Sequence, residues 1–118
     1  MDIESIREYC LQKQLTTEEF PFDDSTLVFK VAGKIFACMP LERPGFLALK
    51  CDADYALELR ERYSAIEPAW HLNKRYWNQL LIHSLDDDLI RHLIDHSYEE
   101  VVKKFSRRRR AELNLMEL

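Results

Sequence analysis

Apolar positions along the chain change period several times, and each change marks an expected element. Ile3, Ile6 and Cys10 fall on one side of a 3.6-residue spiral, with Asp2 placed to cap its free amides, so a first helix is expected to about Lys13. An acidic stretch follows, in which Glu18, Glu19, Asp23 and Asp24 surround Phe20-Pro21-Phe22. From Thr26 the period becomes two: Leu27, Phe29 and Val31 face one way, Thr26, Val28 and Lys30 the other. Ala32-Gly33 supplies a tight turn into a second strand over residues 34–39, where Ile35, Ala37 and Met39 alternate with Phe36 and Cys38. Glu42-Arg43-Pro44-Gly45 puts Pro and Gly at the centre of a type II turn, and Phe46–Lys50 reads as the third strand of an antiparallel meander.

Asp52 caps a second helix to about Tyr63, with Ala56, Leu59 and Tyr63 inward. Residues 66–70 are extended, because Pro68 biases Glu67 away from helix. A turn over residues 73–76 leads to a strand over residues 78–83. Ser84 is then expected to cap the longest helix, whose stripe comprises Leu89, Ile90, Leu93, Ile94, Ser97, Tyr98, Val101, Val102 and Phe105. Its first turn holds Asp86, Asp87 and Asp88 and its last Lys103 and Lys104, as the helix dipole favours. The order α-β-β-β-α-β-β-α predicts a two-layer α+β domain with an antiparallel sheet, spanning residues 1–118 as one unit.

Composition narrows the class. Apolar residues make up 47% and charged residues 32% of the 118, which argues for a globular chain over a disordered or membrane-embedded one. The start, Met1-Asp2-Ile3-Glu4-Ser5, lacks the basic and apolar regions of a secretory signal. Cys10, Cys38 and Cys51 are odd in number and widely spaced, fitting neither a disulfide framework nor a metal knuckle. Reduced, buried thiols in a cytoplasmic protein are expected. The net charge of -4 does not attract nucleic acid, so any such binding needs a local basic patch.

Two patches qualify. Trp70-His71-Leu72-Asn73-Lys74-Arg75-Tyr76-Trp77 combines three large aromatics with His71, Lys74 and Arg75 and contains no acid. Aromatic faces stack on bases, and Lys or Arg neutralises phosphate. Asn73 either reads a base edge or satisfies backbone groups in a turn. Equally, Trp70 and Trp77 can anchor the loop in the core and hold the charged tips outward. The second patch is Lys103-Lys104-Phe105-Ser106-Arg107-Arg108-Arg109-Arg110, read either as a phosphate contact or as a solvated helix end with a frayed tail.

Metal and catalytic chemistry find weaker footing. Asp88, His92 and His96 recur one turn apart, but the residues between the histidines are Leu93, Ile94 and Asp95, without the glutamate of H-E-x-x-H. The acids between Glu4 and Asp24 lack EF-hand spacing and read as a solvated surface. Gly33 and Gly45 build neither a P-loop nor G-x-G-x-x-G, and Ser64, Ser84 and Ser97 sit in no G-x-S-x-G context. Cys51 with His71 is a conceivable nucleophile pair that nothing in the sequence brings together. A non-enzymatic protein without cofactor or metal is expected.

In order along the chain, Arg7-Glu8-Tyr9-Cys10, Glu19-Phe20-Pro21-Phe22, Val28-Phe29-Lys30-Val31, Gly33-Lys34-Ile35-Phe36-Ala37, Leu49-Lys50-Cys51-Asp52, His71-Leu72-Asn73-Lys74 with Trp77-Asn78, and Ile94-Asp95-His96-Ser97-Tyr98 resemble the MmcQ/YjbR proteins, small bacterial domains described as DNA-binding. The resemblance implies a fold similar to frataxin and CyaY, also described as a double-wing arrangement, and a DNA-binding role. Departures fall on turns and tail: Gln14-Leu15 stands where Pro-Gly is common, His83-Ser84-Leu85-Asp86 lacks the usual Gly and Pro, and the tail carries Ser106 and four arginines.

DNA is therefore the expected partner of a monomer or weak dimer, with Lys50, His71, Asn73, Lys74, Arg75 and Trp77, aided by Arg107 and Arg108, as the contact surface. The rival expectation is a small-ligand or protein-binding domain using residues 71–77, with a frataxin-like metal role as its remoter variant.

Overall fold

The computed structural model describes residues 1–69 and 71–115, leaving Trp70, the first residue of the aromatic segment, outside the described part. The elements run α1 (Ile3–Leu11), β1 (Thr16–Glu19), β2 (Thr26–Val31), β3 (Lys34–Pro40), β4 (Phe46–Lys50), α2 (Ala53–Arg62), β5 (Ile66–Pro68), β6 (Trp77–Leu81), α3 (Asp87–Val102) and α4 (Arg107–Glu112). The six strands form one antiparallel sheet in the order β1-β2-β3-β4-β6-β5. Helices cover one of its faces, giving the expected two-layer α+β architecture.

Local chemistry fixes the joints. Asp2 and Asp52 accept the Ser5 and Tyr55 amides at 2.8 and 3.1 Å, capping α1 and α2 as their positions predict. Ala32 and Gly33 both adopt positive φ, +46° and +87°, the pairing a two-residue hairpin of primed type needs. Gly45 sits at φ +101° between β3 and β4. Leu15 is held at φ +60° and half exposed.

The helix-covered core takes Leu27, Phe29 and Val31 from β2, Leu47 and Leu49 from β4, and Leu80 from β6. Ile90, Leu93, Ile94, Val101 and Val102 of α3 meet them, along with Ile6 and Cys10 of α1 and Ala56 and Leu59 of α2. Ser97 lies wholly buried in the stripe because it has work there: its hydroxyl donates to the Phe36 carbonyl at 2.6 Å and accepts the Lys50 amide at 2.9 Å. One serine thus pins α3 to two strands. The opposite face carries a smaller cluster of Val28, Cys38, Ala48 and Ala69, with Ile35, Leu72 and Trp77 packed against it.

Several expectations are corrected. The register shifts between Phe29 and Lys30, so that Ala37 and Ile35 become successive partners and Phe36 is the extra residue. Phe36 consequently joins Ala37 and Met39 in the helix-covered core, and Ile35 moves to the other face. Strict alternation would place Phe36 with Cys38. A fourth N-terminal strand, β1, precedes the meander, and α4 replaces the frayed tail, capped by the Ser106 hydroxyl on the Arg109 amide at 3.0 Å. α3 starts from Asp86, not Ser84, which belongs to a short 3-10 turn over Ile82–Ser84. Among the described residues no helix is long and apolar enough to cross a membrane.

Candidate nucleic-acid interface

Residues 71–76 connect β5 to β6 across the sheet face that the helices leave uncovered, and the loop is pinned along its length. The Leu72 amide donates to the Ala69 carbonyl at 3.2 Å and the Tyr76 amide to the Asn73 carbonyl at 3.0 Å. The Asn73 side chain accepts the Arg75 amide at 3.1 Å, which commits it to the turn. Across the sheet, the Cys51 amide donates to the Tyr76 carbonyl at 2.7 Å.

Arg60 of α2 supplies the remaining support. Its guanidinium donates to the Lys74 carbonyl, to the Trp77 carbonyl at 3.4 Å, and through Nε to the Asn78 Oδ1 at 2.6 Å. Asn78, buried in β6, donates in turn to the Ala56 carbonyl at 3.3 Å. This support was not legible in the sequence, since Arg60 looks like any solvated cation of an amphipathic helix.

Residues directly opposite in paired strands share a face. Lys50 is paired with Trp77, and Ala48 with Gln79, so these four lie together on the uncovered face. At the Lys50 end, Lys30, Lys34, Lys50 and Lys104 converge on a cleft of about 510 Å3 whose apolar walls include Ile35 and Phe105. The described lining includes no carboxylate. Lys30 reaches Glu19 at 3.4 Å, while Lys104 Nζ lies 5.6 Å from the centre of the Tyr76 ring, over which Arg75 also stands at 5.6 Å. Burial first, and then the Lys104 charge, hold the Lys50 ammonium below the ordinary lysine value; Glu100 opposes this.

At the Ala48 end lies a second, apolar cleft of about 360 Å3, walled by Phe22, Cys38, Pro40, Ala48, Ala69 and Leu72. Thr26, His71 and Gln79 give it a polar margin. The aromatic-basic loop is therefore divided: His71 and Leu72 border the apolar cleft, while Arg75 and Tyr76 stand with Lys104. Trp77 is half buried in the small cluster between them.

The expected contact residues are thus only partly gathered. Lys50 and Trp77 pair across β4 and β6, and Arg75 stands with Lys104 at the Tyr76 ring. The Lys74 carbonyl accepts from Arg60, His71 belongs to the neighbouring cleft, and Asn73 is spent on its turn. Arg107 and Arg108 are exposed on α4, with Arg108 at 3.3 Å from Glu112. The far end of that helix is tied elsewhere, by Gln14 donating to the Asn114 carbonyl at 2.6 Å. Lys104 and the lysines of the β2–β3 hairpin, Lys30 and Lys34, are the cations that line the cleft beside Lys50.

Other candidates resolve differently. Asp88 pairs with Arg91 at 3.0 Å, and His96 accepts the Asp52 amide at 3.2 Å. Glu4 and Glu18 both engage Arg7. No group of three or more potential metal ligands occurs among the described residues. All three cysteines are buried and unpaired, and burial pushes each thiol up to about 12. His71 shares its cleft with Cys38, not Cys51, and no hydrogen bond links it to either among the described residues.

Comparison with known proteins places this architecture among relatives. The YjbR family model matches residues 11–100. Escherichia coli K12 YjbR is 31% identical over 104 residues, covering 86% of this chain and 88% of that protein. YbdF of Escherichia coli O157:H7 is 33% identical over 91 residues, 75% of each chain. The crystal structure of Deinococcus radiodurans DR2400, with its DUF419 domain, superposes with a TM-score of 0.92 at 34% identity, covering 98% of this chain and 89% of the other. A Pseudomonas syringae protein of known structure follows at TM-score 0.71 and 25% identity, covering 85% of this chain and 98% of its own.

Proposed function

The chain belongs to the YjbR family, and from its lysine-lined cleft we propose that it is a non-enzymatic module that binds DNA through the phosphate backbone. The observation carrying this reading is the convergence of Lys30, Lys34, Lys50 and Lys104 on one cleft beside Tyr76 and Trp77. The partly buried Lys50 ammonium also feels the like charges of Lys104 and Lys34, a cost that a bound polyanion offsets. An acidic total is no obstacle, because the positive charge is local. Burial pushes the three thiols up to about 12, which argues against a thiolate nucleophile among them, and three unpaired cysteines accord with a cytoplasmic setting.

Salt-dependent titration of duplex and single-stranded DNA tests the proposal. The slope of log affinity against log salt becomes shallower by about 0.7–0.9 for every phosphate the protein no longer neutralises. Replacing Lys50 and Lys104 together by alanine is expected to free roughly two phosphates. Absence of binding at low salt, or a slope unchanged in the double variant, would overturn it. A second reading, a small-molecule site, draws on the apolar cleft at His71. Binding of an uncharged apolar probe there, indifferent to Lys50 and Lys104, would favour it.

A further inference from the structure

Resting on the nucleic-acid reading, we infer that the partner is single-stranded, with one unpaired base seated in the apolar cleft while its phosphate lies on the lysines. The two clefts are not independent surfaces. Ala48 lines one and Lys50 the other, two residues apart on the same face of β4, a separation of roughly 7 Å along the strand. That is about the reach from a base across its sugar to its own phosphate.

Charge decides which end takes which group. At the apolar cleft, Thr26 is bound to Asp23, whose carboxylate accepts its amide at 2.7 Å and its hydroxyl at 3.2 Å. Gln79 donates to Glu67 at 3.2 Å. These carboxylates at the margin repel a phosphate and leave a neutral heterocycle as the suitable occupant. Apolar walls favour its faces, while His71 and the remaining amide atoms of Gln79 offer hydrogen-bonding groups to its edge. At the mouth stands Phe22, 63% exposed although it is a large aromatic. An exposed ring at the rim of such a slot is what a stacked base uses and what a paired base inside a duplex has no access to.

The test compares a short mixed-sequence DNA strand, the same strand annealed to its complement, and a strand of equal length lacking bases. Wild-type protein is expected to prefer the first over both others by about tenfold or more, the scale of one stacked base. Gln79→Trp, which fills the cleft from a strand position that tolerates an aromatic, is expected to erase that preference and keep the salt slope. Phe22→Ala, at an exposed site, is expected to weaken only the normal strand, and its melting curve and that of Gln79→Trp verify folding. Equal affinity for the strand with and without bases, or for duplex and strand, overturns the inference and leaves the DNA reading standing. Binding to all three probes that ignores Lys50→Ala with Lys104→Ala overturns the DNA reading itself.

Discussion

On the helix-covered face of the sheet the strands meet α1, α2 and α3 through side chains as large as Phe29, Phe36 and Leu47, none of them exposed. On the other face the cover is a pinned loop over Val28, Cys38, Ala48 and Ala69, flanked by an apolar cleft and a ring of lysines. Both faces are made by the same strands, in many places by adjacent residues. What differs is the size of the inward side chains and the completeness of the cover. Small residues such as Ala48 and Cys38 leave room that a neighbouring helix would otherwise fill, and that room is where a ligand can approach.

Phe36→Ala should break this contrast most directly from the helix side, costing about 3–5 kcal/mol through reduced burial and a cavity. Val28, equally unexposed but on the loop side, should cost about 1–2 kcal/mol as Val28→Ala, the value of its missing methyls. Chemical denaturation of both variants measures the difference. Equal destabilisation would mean that the two faces are packed alike and that the loop side carries as much of the fold.

Arg60→Met sharpens the comparison next, because Arg60 belongs to a helix yet braces the loop. Removing its bonds to Asn78 and to the Lys74 and Trp77 carbonyls should cost about 1.5–3 kcal/mol, with the aliphatic stem preserved. Hydrogen exchange should accelerate at the Tyr76 amide, which closes the turn on Asn73, well beyond any change at amides of β2. Uniform acceleration across the sheet would show Arg60 to be a global brace and not a loop support.

The two faces were also unequally legible. Leu27, Phe29 and Val31, and the α3 stripe from Leu89 to Val102, announce themselves because large apolar residues recur at the period of their element. β1 sends no such signal: Thr17, Glu18 and Glu19 are exposed, and this edge strand pairs with β2 through its backbone. The register shift at Phe36 is equally silent, since Ile35, Phe36 and Ala37 are all apolar and nothing in the sequence says which one is extra. α4 presents Arg107, Arg108 and Arg109 to solvent and half-buries Arg110, and Leu113 and Leu115 beyond it reach the core. At the site, His71, Arg75 and Trp77 stood out by composition, as did Lys104 within its basic run. Lys30 and Lys34 did not, because their convergence on Lys50 is produced by the hairpin and the end of α3. The resemblance identified the family; it could not divide its signature loop between two clefts.

The smallest effect concerns acidity and the helix side alone. His96 sits between α3 and the start of α2, accepting the Asp52 amide at 3.2 Å with the Tyr55 ring edge-on at 5.1 Å. Burial first, then the charges of His92 and Lys103, hold its pKa below the ordinary 6.5, against opposing pulls from Glu100 and Asp52. The unfolded chain therefore takes up a proton as pH falls through 6.5, while the folded chain resists until a lower pH. Stability must then decline with acidification below 6.5 and level off once the folded pKa is passed. His96→Gln keeps an acceptor for Asp52 and removes the titration. Its stability should fall less than that of the wild type between about pH 7 and pH 5, read by denaturant midpoints at each pH. Parallel curves for the two proteins would mean that the α2–α3 junction is as accessible to water as the cleft side, and that the contrast between the faces stops short of the helix ends.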